Sequence, residues 1–313
     1  MLKNNNDIKK LLHDFWELIS QHQYITLCTH IEPDGDTLGS AVALKNLIEL
    51  NCQKVKEVKI SGGDYPRNLN FLDKYNISLV DDEFFQKSLK VVVDTSTVHR
   101  IFDERVVPKE SVKIDHHGFE NQWMFEIGGD YWPATGQLIV LLIKYLNLKV
   151  NNEVLEAAAV AIITDTEYFR ERNISDETFE CMSYLMKLGL NYANLLTKMS
   201  LNFDENQKIF NMCNKAIIKN NVTYLITDEI IENDIARPLV AKFTEISNTE
   251  VQLALLKKDN QTYRGELRSK TYFDVSKVAI HFGGGGHHNS AGFTLTDISK
   301  VDEVLTYISK LLK

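Results

Sequence analysis

The chain has 313 residues, which predicts about two domains at roughly 150 residues each, with enough length for ordinary hydrophobic cores. Its 35 basic and 43 acidic side chains give a formal net charge of −8, which argues against a protein that wraps long nucleic-acid duplexes. The four cysteines have no paired spacing, residues 1–20 lack the apolar core that a signal peptide has, and the longest apolar runs are shorter than roughly 18 residues. We therefore expect a reduced, cytoplasmic protein that does not span a membrane.

Short apolar strands alternate with helical segments from Ile25 onward, a pattern typical of a parallel α/β sheet. Strands are predicted at 25–29, 58–61, 91–93 and 112–114, and helices at 37–50, 135–146, 152–164 and 175–188. Helical periodicity continues through 191–219. This segment is expected to connect two domains.

After Asn220 the pattern changes to that of a smaller α+β domain. Strands are predicted at 222–227, 251–256, 263–268 and 291–295, and helices at 275–281 and 301–312. The strands at 251–256 and 263–268, with a turn at 258–261, predict a β-hairpin. The fold class is therefore α/β, with a parallel-sheet domain at 1–190, a helical linker at 191–219 and an α+β domain at 220–313.

The first candidate site lies where the first strand leads into the next helix. His30, Asp34 and Asp36 place an imidazole and two carboxylates at this strand end, and Gly35 is expected to give the turn the freedom to point both carboxylates inward. Such donors suit a divalent cation. The alternative is that one aspartate only caps the helix and that His30 is a solvated loop residue.

Other polar residues follow later apolar segments. Asp94 ends one predicted strand, Asp115, His116 and His117 end the next, and Asp165 follows a helix. Each aspartate alone could be structural, but carboxylates converging on one sheet edge repel one another unless cations lie between them. Two divalent metals about 3.5–4 Å apart explain the set. Manganese or magnesium fits these donors better than structural zinc.

A glycine run at 283–286 precedes His287, between a predicted helix and a predicted strand. Clustered glycines let backbone N–H groups approach a phosphate or ribose closely. Arg268, on the predicted hairpin, is a candidate for binding a phosphate with two hydrogen bonds. The alternatives are a flexible linker and a solvated arginine.

In this order, the blocks around His30, Asp94, Asp115 and Asp165 and the glycine run resemble those of DHH phosphoesterases with a DHH-associated C-terminal domain. Residues 92–95 followed by Arg100, and residues 267–270, are similar to the nanoRNase and pAp phosphatase (NrnA-like) branch. The resemblance implies an active-site cleft between a catalytic DHH domain and a substrate-binding domain.

The resemblance also implies roles for individual residues. Each chain would bind two Mn²⁺ ions, or two Mg²⁺ ions, with Asp94 as a ligand of both. The first ion would also be held by His30 and Asp34. The second would also be held by Asp36, His116 and Asp165. His117, with Asp115, would act on the scissile phosphate. Substrate would be bound by Arg100, Arg268, Ser269, Gly284, Gly285, Gly286 and His287.

The implied activity is hydrolysis of short oligoribonucleotides to mononucleotides, and of 3′-phosphoadenosine 5′-phosphate (pAp). The alternatives are a linear or cyclic dinucleotide phosphodiesterase, a single-strand DNA exonuclease, and a nucleotide-binding regulator without catalysis. Short single-stranded RNA and pAp are the expected partners, and a homodimer is compatible with the sequence. Glu167 stands where the family usually has glycine, and Ser290 where it has alanine; these departures leave the substrate preference open.

Overall fold

The computed structural model describes residues 5–63, 65–72, 77–95, 97–170, 173–259 and 261–312. The chain divides into two compact units, Met1–Ser200 and Leu201–Lys313. The predicted turn at 258–261 includes Asn260, which lies outside the described residues. None of the helices in the described part is both long and apolar enough to cross a bilayer.

The first unit alternates helices and strands, as predicted. Its strands are β1 (Tyr24–Cys28), β2 (Glu57–Ser61), β3 (Leu89–Val93), β4 (Ser111–Ile114) and β5 (Phe125–Ile127). Its helices are α1 (Asn5–Ser20), α2 (Gly35–Asn51), α3 (Asp82–Lys87), α4 (Thr135–Leu146), α5 (Asn152–Asp165), α6 (Asp176–Lys187) and α7 (Tyr192–Met199). Helix α3 and strand β5, which are short, were not predicted.

The strands of the first unit form a parallel sheet in the order β2–β1–β3–β4–β5. Both faces of this sheet are covered, because Val91 and Val93 pack into the main core whereas Val92 packs into a second, smaller one. The chain places β2 on one side of β1 and β3 on the other. The carboxyl ends of β1 and β3 therefore flank a topological switch point, where open α/β sheets bind ligands.

Glycines allow the helices near this edge to approach one another closely. A Cβ at Gly39 of α2 would lie 2.4 Å from the carbonyl oxygen of Ala157 in α5, and one at Gly136 of α4 would lie 2.4 Å from the Cβ of Ala161. Neither distance can be tolerated, so α2, α4 and α5 can meet only with glycine at these positions.

The second unit contains α8 (Phe203–Cys213), α9 (Asn233–Ile246), α10 (Val275–His281) and α11 (Val301–Leu311). Its strands are β6 (Ile217–Lys219), β7 (Val222–Ile230), β8 (Val251–Lys257), β9 (Tyr263–Ser269), β10 (Gly285–Gly286) and β11 (Ser290–Leu295). They form one mixed sheet in the order β10–β11–β9–β8–β7–β6. Strands β8 and β9 form the predicted hairpin. The predicted fold class, a parallel α/β sheet followed by a smaller α+β region, is confirmed.

Helix α9 was not predicted. Pro238 lies inside it, and an internal proline removes a backbone donor and weakens the helical signal. The helix forms because Ile235, Leu239 and Phe243 all pack into one buried core against the sheet.

The segment 191–219, predicted to be a helical linker, contains two helices that belong to different cores. Leu195 and Met199 of α7 pack into the core of the first unit, whereas Ile209 and Met212 of α8 pack into a core of the second unit. Its last residues form β6 rather than helix, because Ile217 pairs with Tyr224 in an antiparallel ladder.

Candidate metal centre and catalytic site

The polar residues predicted at the strand ends of the first unit lie together. Helix α2 begins just after the turn that follows β1, Asp94 follows β3, and Asp115 to His117 follow β4. Asp165 is the last residue of α5. His30 is 3% exposed, so it is not a solvated loop residue.

His30, Asp34 and Asp94 form one cluster of possible metal ligands. The His30 Nε2 lies 3.3 Å from Asp34 Oδ2 and 3.6 Å from Asp94 Oδ2. Asp34 also caps α2, because its Oδ1 accepts hydrogen bonds from the N–H groups of Asp36 and Thr37. The two interpretations of this aspartate are therefore compatible, since one oxygen caps the helix and the other faces the cluster.

Asp36, His116 and Asp165 form a second cluster. The His116 Nε2 lies 3.1 Å from Asp165 Oδ2 and 3.9 Å from Asp36 Oδ2. Asp36 is fully buried, and its Oδ2 accepts a 2.6 Å hydrogen bond from the N–H of Thr135. Its Oδ1 accepts hydrogen bonds from the N–H of Gly136 and the hydroxyl of Ser40. The positive end of α4 thus holds this carboxylate in place.

Asp94 lies between the two clusters. Its Oδ2 faces His30, and its Oδ1 lies 3.5 Å from the His116 Nε2. The backbone of Asp94 is left-handed, with φ of 61°, and its N–H donates to the carbonyl of Ile114 on the neighbouring strand. The Thr135 hydroxyl donates a 2.9 Å hydrogen bond to Asp94 Oδ1. Asp94 is thus the carboxylate whose two oxygens face different clusters.

The His117 side chain is more exposed to solvent than that of His116, and its Nδ1 is hydrogen-bonded to Asp115. The His117 Nδ1 lies 2.6 Å from Asp115 Oδ1, and the two adjacent imidazole rings are 4.2 Å apart between centroids. Asp115 is fully buried, and its Oδ2 accepts a 3.4 Å hydrogen bond from Lys113. Asp115 therefore orients His117, and a direct catalytic role for either residue stays a prediction.

Burial and crowding of like charges shift the pKa values in this region. Burial raises the pKa of Asp36 well above its usual range, and the nearby charges of Asp94 and Asp165 raise it further. Burial lowers the pKa of His30, but the facing carboxylates of Asp34 and Asp94 outweigh this effect and raise it to about 10. The cluster thus strongly favours positive charge among its carboxylates.

The orientation of the two buried histidines fits metal binding. The Nδ1 of His30 donates to the carbonyl of Ile31 and that of His116 to the carbonyl of Trp132, because a carbonyl oxygen can only accept. In the neutral form of the ring that binds a metal, the Nε2 atoms carry the lone pairs, and they face the carboxylates. Histidine ligands of metals are commonly held in this way, with the second ring nitrogen donating to a carbonyl. The donor set therefore fits divalent cations.

Glycine is needed at position 35, but the predicted reason, conformational freedom of the turn, is wrong. Gly35 has no left-handed backbone, and the left-handed residue of this turn is Glu32, with φ of 51°. Glycine is required at 35 because a Cβ there would lie 2.4 Å from the Thr164 hydroxyl oxygen. The constraint comes from helix packing against α5, which a local turn pattern does not reveal.

The predicted substrate-binding residues of the second unit lie on or next to strands β9 and β10, which flank β11 at one side of the mixed sheet; this region is called the glycine edge. The Arg268 guanidinium donates to Glu266, and the Ser269 hydroxyl is buried without a hydrogen-bond partner among the described residues. Strand β10 contains Gly285 and Gly286. The exposed His287 follows, and its N–H donates to the carbonyl of Ser290.

The glycines of this edge serve different purposes. A Cβ at Gly284 would lie 2.1 Å from the carbonyl oxygen of Gly292, and Gly286 has a left-handed backbone with φ of 143°. Nothing lies within 4 Å of a Cβ built on Gly285, so its face is open. Arg100, in the first unit, is exposed, and its carbonyl accepts a hydrogen bond from the N–H of Ile31 beside His30.

The sequence interpretation missed Thr135, the amide of Gly136, and Lys113. Thr135 was predicted only as the first residue of a helix, although a helix N-terminus is a general binding site for carboxylates. Lys113 is a basic residue between Val112 and Ile114 in the predicted strand 112–114, and its charge at this position was the available signal.

Comparisons with known proteins agree with these observations. A family model described as the DHHA1 domain matches residues 219–313. The bifunctional oligoribonuclease and PAP phosphatase NrnA of Mycoplasma genitalium is 27% identical over 310 residues, which cover 92% of this chain and 93% of that protein. The cyclic-di-AMP phosphodiesterase GdpP of Bacillus subtilis is 25% identical, over 94% of this chain and 48% of that protein.

A solved structure shares the fold. The crystal structure of an exopolyphosphatase-related protein from Bacteroides fragilis matches with a TM-score of 0.82 at 20% identity, covering 97% of this chain and 98% of that chain. At this identity the match supports the architecture alone.

Proposed function

Because the chain is an NrnA-like member of the DHH family and a hydrolytic enzyme, we propose that it uses divalent metal ions to hydrolyse the phosphate esters of short oligoribonucleotides and of pAp. The observation that carries the proposal is the pair of imidazole–carboxylate clusters that meet at Asp94. Two Mn²⁺ or Mg²⁺ ions held by these clusters would supply positive charge to the attacking water and to the phosphoryl oxygens.

The residues of the chain have separate tasks in this reaction. Asp36 and Asp94 keep fixed orientations, because the N-terminus of α4 donates hydrogen bonds to both. Burial lowers the pKa of His117, but the hydrogen bond from its Nδ1–H to Asp115 outweighs this effect and raises it. In the imidazolium form that this favours, the Nε2–H donates a hydrogen bond to the phosphoryl group or a proton to the leaving oxygen. This division explains why His116 is buried and His117 is accessible.

The second unit is proposed to bind the nucleotide. The Arg268 guanidinium offers donors of the geometry that phosphate accepts, and the open face of Gly285 lets a ligand approach the backbone. Ser269, on the same strand as Arg268, carries a buried hydroxyl for which the described residues offer no hydrogen-bond partner. With a net charge of −8, the chain has little basic surface to recruit further phosphates, and so short substrates are favoured.

The test is hydrolysis by the purified full chain of 5′-labelled RNAs of graded length and of pAp, with Mn²⁺, Mg²⁺, Ca²⁺ or EDTA. We expect mononucleotides from short RNAs, phosphate from pAp, no activity in EDTA and faster turnover with Mn²⁺ than with Ca²⁺, whose looser coordination suits closely spaced sites poorly. Asp94→Asn protein purified in parallel controls for contaminating nucleases.

The outcomes separate the alternatives. Undiminished activity after complete metal removal would contradict the two-metal proposal. Rates should fall once RNA exceeds roughly five nucleotides, because additional phosphates find few cationic partners. Equal kcat/KM on a trinucleotide and on a long strand would instead favour an exonuclease.

A linear or cyclic dinucleotide phosphodiesterase is the second candidate, favoured by the similarity to GdpP. Cyclic di-AMP and its linear form are therefore included in the assay. Preference for the cyclic form over pAp and linear dinucleotides would replace the first proposal with the second.

A further inference from the structure

Lys113 is a fully buried charged residue that the proposed chemistry does not yet use. It lies in β4, one strand position before Ile114, and its side chain is entirely inaccessible. Burying an ammonium group is costly unless it is paired with charge and hydrogen-bonded. Strands of parallel sheets are usually apolar at such positions, so the partners of Lys113 indicate what the lysine does.

Three side chains of the described part of the chain interact with the Lys113 ammonium. It lies 3.4 Å from Asp115 Oδ2, 3.5 Å from Glu126 Oε2 and 5.6 Å from the centre of the Trp123 ring. Of these three contacts, the one with Asp115 has hydrogen-bond geometry. Glu126 is the cross-strand partner of Lys113 in the parallel pairing of β4 and β5, and its side chain is 26% exposed, although the Oε2 that faces the lysine is buried and accepts no hydrogen bond from the described residues.

The fully buried Asp115 depends more strongly on the lysine. Its Oδ1 accepts the 2.6 Å hydrogen bond from His117 Nδ1, and its Oδ2 accepts the hydrogen bond from Lys113. Because both oxygens are engaged on opposite sides, rotation of the carboxylate would break both bonds. The ammonium thus restricts the side chain that orients His117.

We propose that Lys113 is a positioning residue whose buried ammonium holds Asp115 in the rotamer that presents Oδ1 to His117, so that the Nε2 of His117 faces the substrate. This inference rests on the proposed hydrolysis, in which His117 acts at the phosphate. It assigns to Lys113 a role in turnover rather than in metal or substrate binding.

The first test is steady-state kinetics of Lys113→Met with pAp and Mn²⁺. We expect kcat to fall about tenfold, because small misplacement of a reacting group costs one to two orders of magnitude, while KM changes less than about twofold. Lys113→Arg, which keeps the charge, should recover most of the loss. In an Asp115→Asn background, Lys113→Met should have no further effect, because the lysine acts through that carboxylate.

Lys45 provides a matched control. It is a buried lysine of the same unit that pairs with Glu49 and donates to the carbonyl of Val58. Lys45→Met should lower the thermal midpoint but keep kcat within twofold. If Lys113→Met does not fold, Lys113→Met/Glu126→Leu replaces it, since that variant leaves no uncompensated charge on Glu126, and the same tenfold loss is expected.

A readout that does not depend on substrate separates this inference from the proposed function. In the metal-free protein at alkaline pH, long-range ¹H–¹⁵N spectra should show His117 protonated at Nδ1, and a mixture of tautomers in the Lys113→Met variant. Any of three results would overturn the inference. The first is a wild-type kcat in Lys113→Met and in Lys113→Met/Glu126→Leu, the second is a loss in kcat that adds to that of Asp115→Asn, and the third is an unchanged His117 tautomer in Lys113→Met. An inactive wild-type protein would contradict the proposed function alone.

Discussion

The strand-end clusters of the first unit and the glycine edge of the second unit are built in opposite ways. In the first unit, His30, Asp36 and Asp94 are buried, and each is held by at least one hydrogen bond: His30 donates to a backbone carbonyl, and the two aspartates accept from Thr135. In the second unit, Gly285, Gly286 and His287 are exposed. Charge stabilisation requires groups that are already oriented, whereas a surface that binds variable nucleotides can keep donors available to the ligand.

The largest effect is expected at Asp94, the residue shared by both clusters. Asp94→Asn should lower kcat by about three orders of magnitude or more while the protein stays folded. The reason is that this single substitution removes a negative charge from both clusters at once. Steady-state kinetics with pAp and Mn²⁺ measure this loss. Asp81→Asn, at the exposed cap of α3, should leave kcat within about twofold. Similar losses in both variants would contradict the special position of Asp94.

The next effect tests the second unit at Arg268. Arg268→Ala should raise KM for pAp by roughly 10- to 100-fold, the value of one charge-assisted hydrogen bond. Slow hydrolysis of bis-(p-nitrophenyl) phosphate, which lacks a nucleotide, should hardly change. Arg264→Ala is the matched control, because Arg264 lies on the same strand and pairs with the same Glu266. Parallel loss on both substrates would mean that Arg268 supports the catalytic centre or the fold.

A smaller effect is expected at Thr135, whose hydroxyl donates to Asp94. Thr135→Val keeps the backbone N–H that binds Asp36 and should lower kcat about tenfold through misorientation of Asp94. Thr37→Val is its control, because the Thr37 hydroxyl donates to the carbonyl of Val93 at the same strand end. It should reduce the thermal midpoint but keep kcat within about threefold. An unchanged kcat in Thr135→Val would show that Asp94 does not need this donor.

The smallest effect concerns the turn after Asp165. Glu167, Tyr168 and Phe169 all have left-handed backbones, with φ of 46°, 57° and 65°. Because glycine adopts this conformation without strain, Glu167→Gly should stabilise the protein by about 1 kcal/mol and raise the thermal midpoint by a few degrees. Asn147→Gly, at a left-handed helix cap with φ of 52°, should gain less, since asparagine tolerates this conformation. A lower midpoint in Glu167→Gly would indicate that the glutamate side chain stabilises the turn.

The strand ends of the first unit could be predicted from the sequence, because at each of them a short apolar segment is followed directly by a polar residue. Val91 to Val93 followed by Asp94, and Val112 to Ile114 followed by Asp115, are local patterns. Parallel pairing then brings such ends to one edge whatever the details of packing. The pairing of His30 with Asp34 and Asp94, and of His116 with Asp36 and Asp165, was expected from the family resemblance, and the geometry is compatible with it.

Contacts between distant segments could not be predicted in this way. The hydrogen bond from the Thr135 N–H to Asp36 joins residues 99 positions apart, and the requirement for Gly35 arises from Thr164. Helix α9 escaped prediction because Pro238 obscures its period, although the tertiary core stabilises it. The segment 191–219, predicted to be a linker, is shared between the two units, because α7 and α8 bury their apolar faces in separate cores.

The amino-acid sequence by itself determined the order of the longer strands and most of the helices, the chemical types of the candidate ligands and their positions at element ends, because these depend on local periodicity and composition. Only the tertiary structure decided which nitrogen of His30 and His116 faces the carboxylates, which oxygen of Asp94 faces each cluster, and that Lys113 lies behind Asp115. Hydrogen-bond direction and burial are properties of groups brought together by packing, and no local pattern encodes them.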